Sequence, residues 1–153
     1  MIIPLWQRMI SVFLYMLPWA DAIKYGNDIF TNFPISQLLI YPALPVLIIE
    51  QALPIGNLLI FLLLFLGVAR NEKISYFLRL NCMQSILMTL ILIIFNYLMI
   101  LFVQLTNSTY LLEILKELVF IGTLTTVIFT STQCLRGLEA NLPGISDAAK
   151  MQI

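Results

Sequence analysis

None of this chain's 153 residues is histidine, so the usual proton carrier near neutrality is missing. Carboxylates and thiols are the remaining groups that could do covalent or acid–base work. Asp21 and Asp28 share a turn-rich stretch, "ADAIKYGNDIFTN", and paired carboxylates can act as general acid and base. Solvated turn positions account for them better. Glu113 and Glu117 flank Lys116 at the start of an apolar segment, where acids suit the first turn of a helix. Cys82 and Cys134 each stand beside apolar runs and read as small buried residues rather than a disulfide framework. The sequence holds no glycine-rich phosphate loop and no nucleophile elbow. These residues point away from an enzyme, and no catalytic residue, metal or cofactor is expected.

A second kind of chemistry is hydrogen bonding inside apolar segments. Cys82, Ser85, Thr89 and Asn96 fall within about 60° of arc if their segment is helical. Gly122, Thr126, Thr130, Gln133 and Gly137 line one face of a later segment, and Arg8, Ser11, Tyr15, Pro18 and Ala22 one face of the first. Two uses compete. Small and hydroxyl residues let membrane helices approach, and Asn, Gln and Thr hydrogen-bond between them. Alternatively, Ser85, Thr89, Asn96, Thr126, Thr130 and Gln133 line a weakly polar path for an extended polypeptide. On that second reading, Leu at both Thr126 and Thr130 should impair transport while the protein still assembles. The absence of ionisable residues from the middles of the apolar segments argues against a proton relay, voltage sensor or ion-coupled pump.

The elements that must position these residues follow from composition. The chain is 61% hydrophobic and 10% charged, against about 25% charged in a soluble domain. It reads as an all-α integral membrane protein forming one domain. Four transmembrane helices are expected, over residues 5–25, 54–69, 74–104 and 110–135. Pro18 should kink the first, and Pro54 should open the second. The stretch 74–104 lacks Pro and Gly and would be roughly 46 Å long as a helix, which exceeds a hydrocarbon core of about 30 Å. Between the first two helices, Pro42, Pro45 and Pro54 divide an apolar run into pieces too short to cross. Residues 35–51 are therefore expected to form a short interfacial or re-entrant element. A fifth crossing there is the rival. Residues 136–153 are expected to be a mobile tail. The N-terminus resembles neither a signal peptide nor a transit peptide.

Charge placement gives an orientation. With four spans, Arg8, Arg70, Lys73, Arg79, Arg136 and Lys150 gather on one side, whereas the other receives Lys24 and Lys116 among several acids. Lys and Arg in short loops stay on the side of insertion, so "RNEKISYFLR" works as a retention signal. Both termini should face the cytoplasm, or the stroma in a plastid.

Three stretches carry a resemblance: "QRMISVFLYMLPWADAIKYG", "YPALPVLIIEQALPIGNLLIFLLLFLGVARN" and "ISYFLRLNCMQSILM". They resemble the twenty-kilodalton subunit family of the translocon at the inner envelope membrane of chloroplasts (Tic), including its cyanobacterial and algal-plastid members. The family pattern falls on Arg8, Leu17, Pro18, Asp21, Gly26, Pro45, Pro54, Arg70, Asn71, Ser75, Arg79, Asn81, Met83 and Gln84. Gln7 and Leu80 depart mildly from it, at positions where Glu and an aromatic are common. The resemblance implies four membrane helices, stromal termini and a place in the protein-conducting part of the import machinery. Partners would be other membrane subunits, precursor polypeptides in transit and the lipid bilayer, with no nucleic acid. A chain this small is expected to work as a homo- or hetero-oligomer. The location implied is the plastid inner envelope membrane, or the plasma membrane of a cyanobacterium. A scaffold subunit, and a small-solute or ion channel dependent on Asn96, are the rival functions.

Overall fold

The computed structural model describes residues 3–52, 55–106 and 108–153, and every regular element among them is helical. The expected helix-opening role of Pro54 lies outside the described residues. The long apolar stretches after it form α5 (Gly56–Leu64), α6 (Tyr76–Thr106) and α7 (Thr109–Arg136). A π-helical turn, Phe65–Ala69, extends α5.

The first apolar segment is two helices, α1 (Leu5–Leu14) and α2 (Met16–Ile23), joined at Tyr15. Pro18 explains the joint. It has no N–H to give the Leu14 carbonyl one turn back, and the Ser85 hydroxyl of α6 donates to that carbonyl instead, at 2.6 Å. The device recurs at Pro42, inside the 3-10 run Pro34–Ala43. There hydrogen bonds link residues three apart, so the Leu39 carbonyl loses its donor. The Trp19 indole supplies one at 2.8 Å.

This changes the expected shape of the proline-rich stretch. Pro42 is absorbed into 3-10 geometry, and Pro45 falls in the first turn of α4 (Leu44–Ala52), where a missing N–H costs little. The helical run Pro34–Ala52 is therefore continuous, and at 19 residues it is long and apolar enough to cross a membrane, as is α6. Prolines do not break it into short pieces. Yet both halves of the run stay near the end of α2. Leu39 is held by Trp19, and Glu50 lies within electrostatic reach of Asp21 and Lys24. The short α3 (Asn27–Asn32) bridges α2 to this run.

Contacts fix the heights of the remaining helices. At one end, Ser75 bonds Gln7 at 3.0 Å, Arg8 reaches the Leu135 carbonyl at 3.2 Å, and Arg79 reaches the Ala69 carbonyl at 3.2 Å. At the other, Tyr25 reaches the Leu92 carbonyl at 3.3 Å, and the Phe120 ring packs 5.3 Å from Trp19 and 5.4 Å from Phe30. Among the described residues, α1–α2, α5 with its π turn, α6 and α7 thus each run between the same two ends. The α1–α2 pair lies against both α6 and α7, which touch each other less. Beyond Tyr25, α6 and α7 continue as a hairpin.

Residues 136–153 depart from the expected mobile tail. They turn at Gly137 and Gly144, both at positive φ, and end in α8 (Ile145–Lys150), which packs along α6. Ala140, Leu142, Ser146 and Ala149 are buried. Small side chains allow this close approach, a role that a polar, Gly- and Pro-containing composition conceals.

Candidate functional site

The interior carries one connected polar network. Tyr15, at the α1–α2 joint, donates its hydroxyl to the side-chain oxygens of Gln84 at 2.6 Å and Asn81 at 3.0 Å. Asn81 also accepts from the Cys134 thiol at 3.2 Å and donates to the Phe77 carbonyl at 2.7 Å. The Gln84 amide nitrogen donates to the Ala140 carbonyl at 2.9 Å and to the Ser146 hydroxyl at 2.8 Å. Four parts of the chain meet here, and each polar atom named has a partner. In a membrane such bonds are worth about 0.6–2 kcal/mol each, and leaving one group unpaired costs more than its bond contributes.

Next to this network, α6 and α7 separate to form an apolar cleft of about 570 Å³. Met88, Leu92, Met99 and Thr123 form its buried floor, and Ile91, Phe95, Leu98, Leu118 and Gly122 its exposed rim. Its hydroxyls make no demand on an occupant. Thr123 donates to the Val119 carbonyl and Thr126 to the Gly122 carbonyl, each at 2.8 Å. Gly122 has open space where a side chain would be.

The six residues expected along one polar path are not brought together. Ser85 is buried as the Leu14 cap, and Thr89 is buried with its hydroxyl unpartnered. Thr130 is buried and donates to the Thr126 carbonyl of its own helix at 2.9 Å. Gln133 is half-buried with its side-chain oxygen unpartnered. Asn96 lines a separate cavity of about 390 Å³ with Tyr25, Gln104 and Lys116. Thr126 alone of the six lines the cleft.

The five basic residues expected to set topology all lie at the Ser75 end. Arg8 is bonded to the Ile3 carbonyl at 2.9 Å as well as to Leu135, so it caps the carbonyl-rich end of α7. Arg79 serves the Ala69 carbonyl in the same way. The Arg70 guanidinium stands 5.8 Å from the Phe65 ring centre, while Lys73 and Arg136 are exposed. The sequence suggested that Asn81 and Gln84 knit the third expected transmembrane helix to a neighbour, and they do bond Tyr15, with Gln84 also holding Ala140 and Ser146. The joining roles of Tyr15 and Ser146 were missed. One signal was available for Ser85: a proline at 18 implies an unmatched carbonyl at 14.

A protein family described as "Chloroplast import apparatus Tic20-like" matches residues 4–149. The chain belongs to this family. A "Tic20 family protein" of Synechocystis sp. is 33% identical over 96% of this chain and 92% of its own length. "Protein TIC 20-v, chloroplastic" of Arabidopsis thaliana is 33% identical over 96% of this chain and 71% of that protein. "Tic20 family protein Ycf60" of Porphyra purpurea is 26% identical over 95% of this chain and 75% of the relative. For this Tic20-like chain, the match covers α1 to α7, so the network and the cleft both lie within the family region.

Proposed function

We propose that this Tic20-like chain is a membrane subunit of the plastid protein-import machinery, and that precursor polypeptides pass along its α6–α7 cleft. Family membership supports the role in import. One observation supports the place: α6 and α7 are both held against α1–α2 yet leave a large apolar opening between them. Its lining has no unpaired hydrogen-bond demand at Thr123 or Thr126, so sequences of many kinds could slide past without being held. In this reading α1–α2, α5, α6 and α7 cross the inner envelope membrane four times. The run Pro34–Ala52 rests at the far face, covered on one side by α2. The Arg8, Arg70, Lys73, Arg79 and Arg136 end faces the stroma, with both termini, following the bias of basic residues. A cyanobacterial relative makes the plasma membrane of such a cell the other setting. Other membrane subunits or further copies complete the channel, because a chain of 153 residues does not enclose a protein-sized pore.

The test places a photo-crosslinking residue at Thr126, with a control at the exposed Leu63 on α5, and arrests a precursor during import. Crosslinks to the precursor from Thr126 and not from Leu63 are expected. Crosslinks from Thr126 only to other membrane subunits would make the chain a scaffold. That second reading draws support from Ser85, Thr89 and Thr130, which are buried between helices.

A further inference from the structure

We propose that residues 137–153 form a removable strap that closes the α6–α7 cleft at the Arg-rich end, with Gln84 as its latch and Ile145 as its stopper. The inference stands apart from the transport reading, since it needs only the cleft and the strap.

The geometry leads there in steps. Ile145 of α8 is part of the cleft wall. Its neighbour Ser146 is bonded to Gln84, one helical turn before Met88, where the α6 part of the cleft lining begins. Ile145 therefore stands at the Met88 end, toward the Arg-rich side. Nothing else from the C-terminal segment contributes to the described lining.

The strap is suited to come away as a unit. Its own folding is internal: the Ser146 hydroxyl accepts the Leu142 N–H at 2.7 Å and donates to the Ala140 carbonyl at 3.0 Å. An exposed Lys150–Glu139 pair at 3.7 Å adds a further internal tie, though exposed pairs are weak. Its attachment centres on a single side chain, the Gln84 amide, whose two bonds to Ala140 and Ser146 close the internal loop onto α6. Of the side chains it buries, Ala140, Ser146 and Ala149 are small and Leu142 is the one large apolar group, whereas Leu138 and Met151 are exposed. Glycines in left-handed geometry at Gly137 (φ +73°) and Gly144 (φ +78°) punctuate the segment, and such positions accept backbone rotation readily. With Leu142 as its one large buried apolar group and Gln84 as its one polar anchor, the segment has few ties to break and should open below the global unfolding energy.

The Tyr15 hydroxyl also lands on Gln84. Movement at the α1–α2 joint would therefore be felt at the latch.

The experiment uses the full chain in proteoliposomes, with Cys82→Ala and Cys134→Ala as background and Thr126→Cys as reporter. Two rates are read: hydrogen exchange of peptides from 138–153, and modification of the reporter by a membrane-impermeant maleimide added on the strap side. Gln84→Leu and Ser146→Ala should each speed strap exchange by about tenfold, as expected for a lost buried hydrogen bond, with α6 and α7 still protected. Both should raise reporter labelling, and a chain ending at Leu138 should raise it further. Ser146→Ala keeps the latch testable if Gln84→Leu fails to fold. Strap exchange unmoved in Ser146→Ala and in a folded Gln84→Leu would overturn the latch. A reporter that reacts at one rate with the strap present, unlatched or removed would overturn the stopper.

Discussion

A proline inside a membrane helix strands a carbonyl one turn back, and lipid offers no donor to relieve it. At Pro18 the relief comes from Ser85, whose hydroxyl reaches the Leu14 carbonyl at 2.6 Å. Ser85→Ala should therefore cost about 1–3 kcal/mol, the range for a buried group left unsatisfied. Combining it with Pro18→Ala makes the explanation specific, because residue 18 then regains an N–H for Leu14. Unfolding of the four chains in detergent should give a smaller Ser85→Ala cost in the Pro18→Ala background. An equal cost in both would mean that Ser85 acts by packing alone. The kink was legible in the sequence because it is a property of proline itself. The donor was not, since it lies in another helix and only the fold selects it. Ser85 stood out merely as polar, and a path-lining hydroxyl and a capping hydroxyl look alike in a sequence.

Among the helices, α7 shows where periodicity stops being informative. Its small and polar face, Gly122, Thr126, Thr130, Gln133 and Gly137, looked like the one turned inward. The buried seam is instead Phe120, Thr123, Val127, Thr130 and Cys134, sharing only Thr130 with it. In a soluble helix the apolar stripe marks the core, but lipid is as apolar as the interior and removes that contrast. Packing alone chose this seam, and Phe120 is its tightest point. A methyl group at Gly26 would stand 2.5 Å from the Phe120 ring, and Trp19 and Phe30 leave that ring little room to retreat. Gly26→Ala should then cost about 1–3 kcal/mol by overpacking, read as a lower unfolding midpoint in detergent. Phe120→Leu in the same chain should recover part of the loss by making space. Gly26→Ala with an unchanged midpoint would show that the α2–α3 turn yields without strain. At the other end of α7 the helix stops at Gly137, which takes a left-handed conformation. The Arg8 contribution there was hidden because topology alone seemed to explain that charge.

On the scale of the whole molecule, the all-helical class and the long apolar run that forms α6 were legible from composition and segment length. The seat of the C-terminal strap and the opening between α6 and α7 were not, since both depend on how two helices splay around a third. That opening changes which substitution tests transport. Leu at both Thr126 and Thr130 no longer separates transport from assembly, because Thr130 is fully buried and extra volume there disturbs the packing of α7. Thr130→Leu alone should lower stability by about 1–3 kcal/mol. Thr126→Leu and Gly122→Leu add their bulk to open space in the cleft and should leave the unfolding midpoint nearly unchanged. If a polypeptide uses the cleft, those two variants should slow precursor import severalfold while assembling into the membrane at normal levels. Full import activity in a chain carrying both would mean that the precursor passes elsewhere. The cleft would then be a seat for a neighbouring apolar helix, and the measurable loss would shift from transport to complex assembly.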